Sequence, residues 1–118
     1  MDLRKTQLRA LQSRKEQEFR LALGRFLREE MPEQLAAVPD EAVLDRIRAA
    51  EAEAASYGIE APVPLAQFVC LWFATPEALS ANRNVQAYLR RRDIDQETRM
   101  QTLVDEAEKA LSGSNRAR

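Results

Sequence analysis

Apolar residues recur at intervals of three and four along most of this chain, and prolines and glycines separate the stretches in which they do so. The pattern is clearest from Leu8 to Leu27 and from Met100 to Leu111. An amphipathic helix has a period near 3.6, whereas a half-buried strand alternates at every second residue. The sequence therefore predicts an all-α fold.

Start and stop signals divide the pattern into an irregular bundle of about five helices. The first is long and follows an N-cap at Asp2. It ends at Pro32, because a proline disfavours helical geometry at the residue before it, here Met31. The later helices begin or end at prolines, glycines and capping residues. Their expected extents are Pro39 to Tyr57, which Gly58 stops; residues 65–74; Asn82 or Asn84 to about Arg92; and Asp95 to Gly113, with residues 33–38 as a connector.

Residues 65–74 are apolar all round, so periodicity does not distinguish a helix from a buried strand there. A single strand would leave its backbone groups without partners, and every other segment has a helical pattern. We therefore interpret this run as a buried central helix. Cys70 lies within it, where a thiol behaves as a small apolar side chain.

The length of 118 residues fits one domain with one hydrophobic core. We expect this domain to comprise residues 1–111 and to be followed by a disordered tail at residues 112–118. No heptad pattern is sustained long enough to indicate a coiled-coil rod, and the order of the helices does not determine which of them pair.

Residue types that carry much enzyme chemistry are scarce or missing. The sequence has no histidine, one cysteine and three glycines. Zinc sites and histidine-based triads are therefore excluded, as are glycine-rich nucleotide-binding loops. The remaining candidates for a catalytic role are neighbouring carboxylates, such as Glu51 with Glu53 and Asp93 with Asp95. The sequence predicts a protein that is not an enzyme and that binds no cofactor and no metal.

The longest uninterrupted apolar stretch, Phe68–Ala74, is far shorter than the roughly 20 residues of a membrane-spanning helix. The first fourteen residues alternate charge with leucine and lack the apolar core of a signal peptide. We therefore expect a cytoplasmic protein that makes no membrane contact.

Two groups of apolar residues are candidates for binding a protein partner. Leu8 and Leu11 lie in the first half of the first helix, which has few other apolar residues and would project unless a partner covered it. Trp72 is more typical of a core, but tryptophan is also a frequent interface anchor. A first helix this long could also pair with its copy in a homodimer.

Arg90, Arg91 and Arg92 form a third candidate, a basic run that could face an acidic patch on a partner. The alternative is a solvated helix end, where cations are stabilised by the helix dipole. Tyr88 is the one aromatic residue beside this run, which does not favour nucleic-acid binding.

Several short runs in this sequence resemble small all-helical proteins that are encoded beside type VI secretion effectors. The resemblance covers about residues 19–104. After the apolar run, the residues Ala74-Thr75-Pro76 differ from the pattern of those proteins. The residues that carry it are Phe26 to Pro32, Ile47-Arg48, Tyr57-Gly58-Ile59, Phe68-Val69-Cys70-Leu71-Trp72-Phe73, and Arg99-Met100 with Leu103.

This resemblance implies a co-chaperone. Such a protein would bind an effector's dedicated adaptor chaperone, or the effector itself, near PAAR or VgrG spike proteins, and would support effector loading. It implies no catalytic residues. An immunity protein that neutralises a co-encoded toxin is the alternative, since small acidic helical proteins also serve that role.

Overall fold

The computed structural model describes residues 16–75 and 81–116, and these residues form helices without any β-strand. The all-α prediction is confirmed. The described residues contain six helices where about five were expected for the whole chain, because one helical turn lies in the predicted connector. The helices are α1 (Glu16–Glu30), α2 (Pro32–Leu35), α3 (Asp40–Ser56), α4 (Pro62–Ala74), α5 (Arg83–Leu89) and α6 (Gln96–Arg116).

Several predicted helix limits agree with the structure. The first helix stops before Pro32, although the part of it before residue 16, with the proposed cap at Asp2, lies outside the described residues. Asn82 caps α5 by accepting hydrogen bonds from the backbone N–H groups of Asn84 and Val85. Asp95 Oδ1 likewise accepts from Thr98 N at 2.7 Å, at the start of α6.

Three limits were predicted wrongly. The helix expected over residues 65–74 begins at Pro62, because proline is tolerated in the first turn of a helix. The helix expected to reach Arg92 ends at Leu89, and the backbone then turns, with Arg91 N donating to the carbonyl of Tyr88. The last helix continues to Arg116, past the predicted stop at Gly113. A glycine inside a helix costs only about 1 kcal/mol relative to alanine, so it does not by itself end one.

The stop at Gly58 follows the predicted pattern in detail. Gly58 has φ +75°, and its N–H donates to the carbonyl of Ala55. Ile59 N donates to the carbonyl of Ala54, and the Ile59 side chain is buried. This pair of bonds with a buried following residue is a Schellman motif. It ends α3 and turns the chain toward α4.

The apolar run forms a helix, α4, that packs against α3 on one side and α6 on the other, while α1 packs against α3. The largest fully buried side chains come from these helices, the loop after α3 and the end of α5, and include Leu23, Leu27, Ile47, Ile59, Phe68, Leu89 and Met100. Cys70 is buried among them, and burial raises the pKa of its thiol. Among the described residues, no helix has both the length and the apolar character needed to cross a membrane.

Polar bonds fix α6 against its neighbours. Gln96 Oε1 accepts hydrogen bonds from the backbone N–H groups of Glu60 and Ala61, at 2.8 and 2.9 Å, just before α4 begins. Farther along, buried Gln67 donates to Gln101 Oε1 at 3.3 Å. A buried amide that keeps its partner favours one register of α4 on α6, because sliding the helices would leave it unsatisfied.

Candidate protein-interaction surfaces

Two arginines of the predicted basic run contact the end of α3. Arg92 Nη2 donates to the carbonyl of Ser56 at 3.3 Å. The guanidinium carbon of Arg90 lies 5.8 Å from the centre of the Tyr57 ring, within the range of a cation–π contact. Because carbonyl groups at a helix C-terminus carry partial negative charge, these cations stabilise the end of α3.

Arg91 differs from its neighbours because its contact is within its own loop. Its Nη2 lies 2.5 Å from Asp93 Oδ2, and both side chains are exposed. Hydrogen bonding to Arg91 lowers the pKa of Asp93. The structure thus gives each arginine of the run an intramolecular contact, while binding of a partner by Arg90, Arg91 and Arg92 stays a prediction.

A fourth arginine, Arg99, lies beneath this run and is only 3% exposed. Its Nη1 donates to the carbonyl of Tyr57 at 2.9 Å and also to the carbonyl of Leu89. One buried guanidinium therefore caps the C-termini of α3 and α5 together. Its Nε is buried without a hydrogen-bond partner among the described residues.

Trp72 lies at the C-terminal end of α4 and is half-buried, as is Phe73 beside it. Their ring centres are 5.5 Å apart, and both rings pack against the core. The same end of α4 borders an open groove of about 440 Å³ whose other wall includes Met31 and Pro32. The remaining apolar candidates, Leu8 and Leu11, lie outside the described residues.

A second groove, between α1 and the start of α3, was not predicted from the sequence. Leu21, Gly24, Val43 and Leu44 contribute its apolar lining, and its volume is about 250 Å³. We call it the Leu21 groove. Leu21 is 43% exposed and is the one large apolar side chain classed as exposed among those described. Leu21 lies off the apolar stripe of α1, and this position was the feature of the sequence that could have indicated an exposed leucine.

The charged lining of the Leu21 groove comes from Arg25, Arg28 and Asp40. Arg28 Nη2 lies 2.7 Å from Asp40 Oδ1, and the same guanidinium donates to the carbonyls of Leu35 and Val38 at 2.8 and 2.6 Å. These bonds join α1 to the connector and to the start of α3 beside the groove.

The neighbouring carboxylates considered for catalysis have separate environments. Glu51 Oε1 accepts from Arg20 Nε at 2.7 Å, across α1 and α3. Glu53 Oε2 is buried without a hydrogen-bond partner among the described residues, and burial raises the pKa of this carboxyl. Asp93 pairs with Arg91, and Asp95 caps α6. Within residues 16–75 and 81–116, no group of three potential metal-ligating side chains comes together.

The chain was compared with known proteins in three ways, which covered family models, curated proteins and solved structures. None of these comparisons found a match. The functional assignment therefore depends on the residues and surfaces described above, together with the resemblance noted in the sequence.

Proposed function

We propose that this chain is a non-catalytic protein-binding adaptor of the cytoplasm. Its role is that of a co-chaperone, which binds a type VI secretion effector or the effector's dedicated chaperone and supports loading near a PAAR or VgrG protein. The proposal is supported by the resemblance over residues 19–104 and by apolar surface on the folded domain.

The observation that carries the proposal is the half-buried aromatic pair formed by Trp72 and Phe73. Both residues belong to the segment that carries the resemblance, and Trp72 lies in the last turn of α4. Tryptophan is enriched among residues that dominate interface energies, because it buries a large rigid surface and its indole N–H donates a hydrogen bond. A partner that covered this pair would remove apolar surface that the chain itself leaves partly exposed.

In this proposal α4 has two functions. Its buried residues, such as Phe68 and Val69, support a role as the central helix of the domain. Its C-terminal end carries Trp72, so in this proposal the partner-binding aromatic is held on a rigid element. Rigid anchors lose little conformational entropy on binding, which favours affinity.

The test is affinity purification of the tagged protein from its native host, followed by mass spectrometry of what remains after a moderate salt wash. We expect recovery of an adaptor chaperone or an effector together with a PAAR or VgrG protein. The Trp72→Ala variant should recover it about tenfold less, a loss that corresponds to 1.4 kcal/mol. Tyr88→Ala is the matched control, because Tyr88 is a half-buried aromatic on α5.

Other outcomes lead to different conclusions. Recovery of a toxin domain alone would support the immunity alternative, and protection of cells from that toxin would establish it. Retention of no secretion component by the wild-type protein would contradict the co-chaperone proposal. Equal recovery by Trp72→Ala and the wild type would remove Trp72 from the interface.

A further inference from the structure

The Leu21 groove has a size and a lining that suit side chains of another protein. A small-molecule pocket generally occupies roughly 300–1,000 Å³ and encloses most of its ligand. The groove is smaller, at about 250 Å³, and opens along the surface between two helices. Single exposed leucines are common on proteins, but Leu21 lies at the edge of a concave surface that includes Val43 and Leu44. This arrangement is typical of a groove that receives the apolar face of a helix.

The charges beside the groove indicate which charge the bound helix should carry. Asp40 is neutralised by Arg28, which is also held by two backbone carbonyls. Arg25 is exposed and has no ion-pair partner among the described residues. It follows Leu21 by four residues, so both side chains lie on the same face of α1, one turn apart. The groove therefore combines an apolar surface with an uncompensated positive charge next to it.

We propose that the Leu21 groove binds an amphipathic helix of a partner protein, one that carries a large apolar side chain and a carboxylate within one turn of it. The apolar side chain occupies the space beside Leu21, and the carboxylate pairs with Arg25. The inference goes beyond the proposed function, because the groove and its charge define the partner's chemistry whether or not that partner belongs to a secretion system.

Site-specific photo-crosslinking of the full-length protein in its native host tests this proposal. The photoreactive amino acid p-benzoylphenylalanine replaces Leu21 in one variant and Ala87, an exposed residue of α5, in the control. Mass spectrometry then identifies the peptide joined at each position. We expect position 21 to crosslink to a segment with apolar residues spaced by three and four and with an acidic residue beside them.

Reversing the charge of Arg25 distinguishes specific binding from nonspecific contact. Arg25→Glu in the position-21 variant should lower the yield of that adduct about fivefold, because a like charge then faces the carboxylate. Arg25→Lys should retain most of the yield. Arg83→Glu, which changes net charge equally at an exposed site on α5, should leave it unchanged. Circular dichroism of each variant checks that the fold is intact.

Several results would overturn the inference. These are an adduct with a second copy of this chain, an adduct with a basic or non-amphipathic segment, an adduct insensitive to Arg25→Glu, or no more adduct at position 21 than at position 87. The protein from which the peptide comes bears separately on the proposed function. An acidic helix from a protein unrelated to secretion would support the groove assignment and contradict the co-chaperone role.

Discussion

Arg99 is the one buried arginine among the described residues. An arginine is rarely as buried as 3% exposed unless its charge is compensated. Here the compensation comes from carbonyl groups at the ends of two helices, Tyr57 and Leu89, and from the carboxylates Asp93 and Asp95, which act on it over a longer range. Removing this guanidinium would leave both carbonyls buried without their donor.

We therefore expect Arg99→Ala to lower the free energy of unfolding by about 3 kcal/mol, because it combines lost packing with two unsatisfied carbonyls. Urea denaturation followed by circular dichroism measures this change. Arg91→Ala is the control, since Arg91 is exposed and pairs with its loop neighbour Asp93, and it should change stability by less than about 0.5 kcal/mol. Similar effects of the two substitutions would contradict the capping role of Arg99.

At the scale of elements, two glycines differ in their position relative to a helix: one lies inside α1, and the other lies just after α3. Gly24 lies inside α1, where an added Cβ would meet Val43 Cγ1 at 3.8 Å and Ile47 Cδ1 at 3.9 Å, ordinary van der Waals contacts. Gly58 follows α3 at φ +75°, where an added Cβ would also approach Arg92 Nη1 too closely. One position can accept a side chain, and the other cannot without strain.

Alanine substitutions should accordingly have opposite signs. Gly24→Ala should raise the free energy of unfolding by about 0.5–1 kcal/mol, because alanine loses less backbone entropy in a helix. Gly58→Ala should lower it by about 1–2 kcal/mol, the cost of left-handed geometry for a residue with a Cβ. Denaturant titration of both variants measures the pair. In the Arg92→Ala background the Gly58→Ala loss should persist, since most of it comes from the backbone; its disappearance would assign the cost to the contact instead.

The elements that the sequence predicted are those whose signals are local. Gly58 with Ile59, Asn82 and Asp95 each act within a few residues, so the stop of α3 and the caps of α5 and α6 could be read along the chain. The role of Arg99 could not, because it depends on carbonyls 42 and 10 residues away. The Leu21 groove was missed for the same reason, since it exists only where α1 packs on α3.

For the whole molecule, pH dependence follows from carboxyl groups shifted in opposite directions. Burial raises the pKa of Glu53 above its ordinary 4.5, so the native state binds this proton more tightly than the unfolded state, and ionisation above that pH destabilises the fold. Hydrogen bonds from Arg91 and Thr98 lower the pKa values of Asp93 and Asp95 below 3.8. Their stabilising contribution is present above that pH and is lost as pH falls.

The Glu53→Gln variant isolates the first of these effects. At pH 7 it should raise the free energy of unfolding by up to about 1 kcal/mol, because it removes a charge from a partly buried site without a hydrogen-bond partner for Oε2. At pH 4 a larger fraction of Glu53 is protonated, because burial raises its pKa, so the difference from wild type should shrink. Thermal unfolding at both pH values provides the measurement, with exposed Glu108→Gln as the control. A stability gain of equal size at both pH values would contradict an electrostatic origin.

The first turn of α6 connects the rest of the domain, because Gln96 holds the backbone before α4 and Arg99 caps α3 and α5. These side chains leave the ribosome after all of the helices they secure. Each of those helices is therefore synthesised before the side chain that hydrogen-bonds to its end. The apolar helix α4 also emerges before α6, which covers one of its sides. The domain must complete its folding late, so an apolar helix remains open to chaperones during translation until the C-terminal segment arrives.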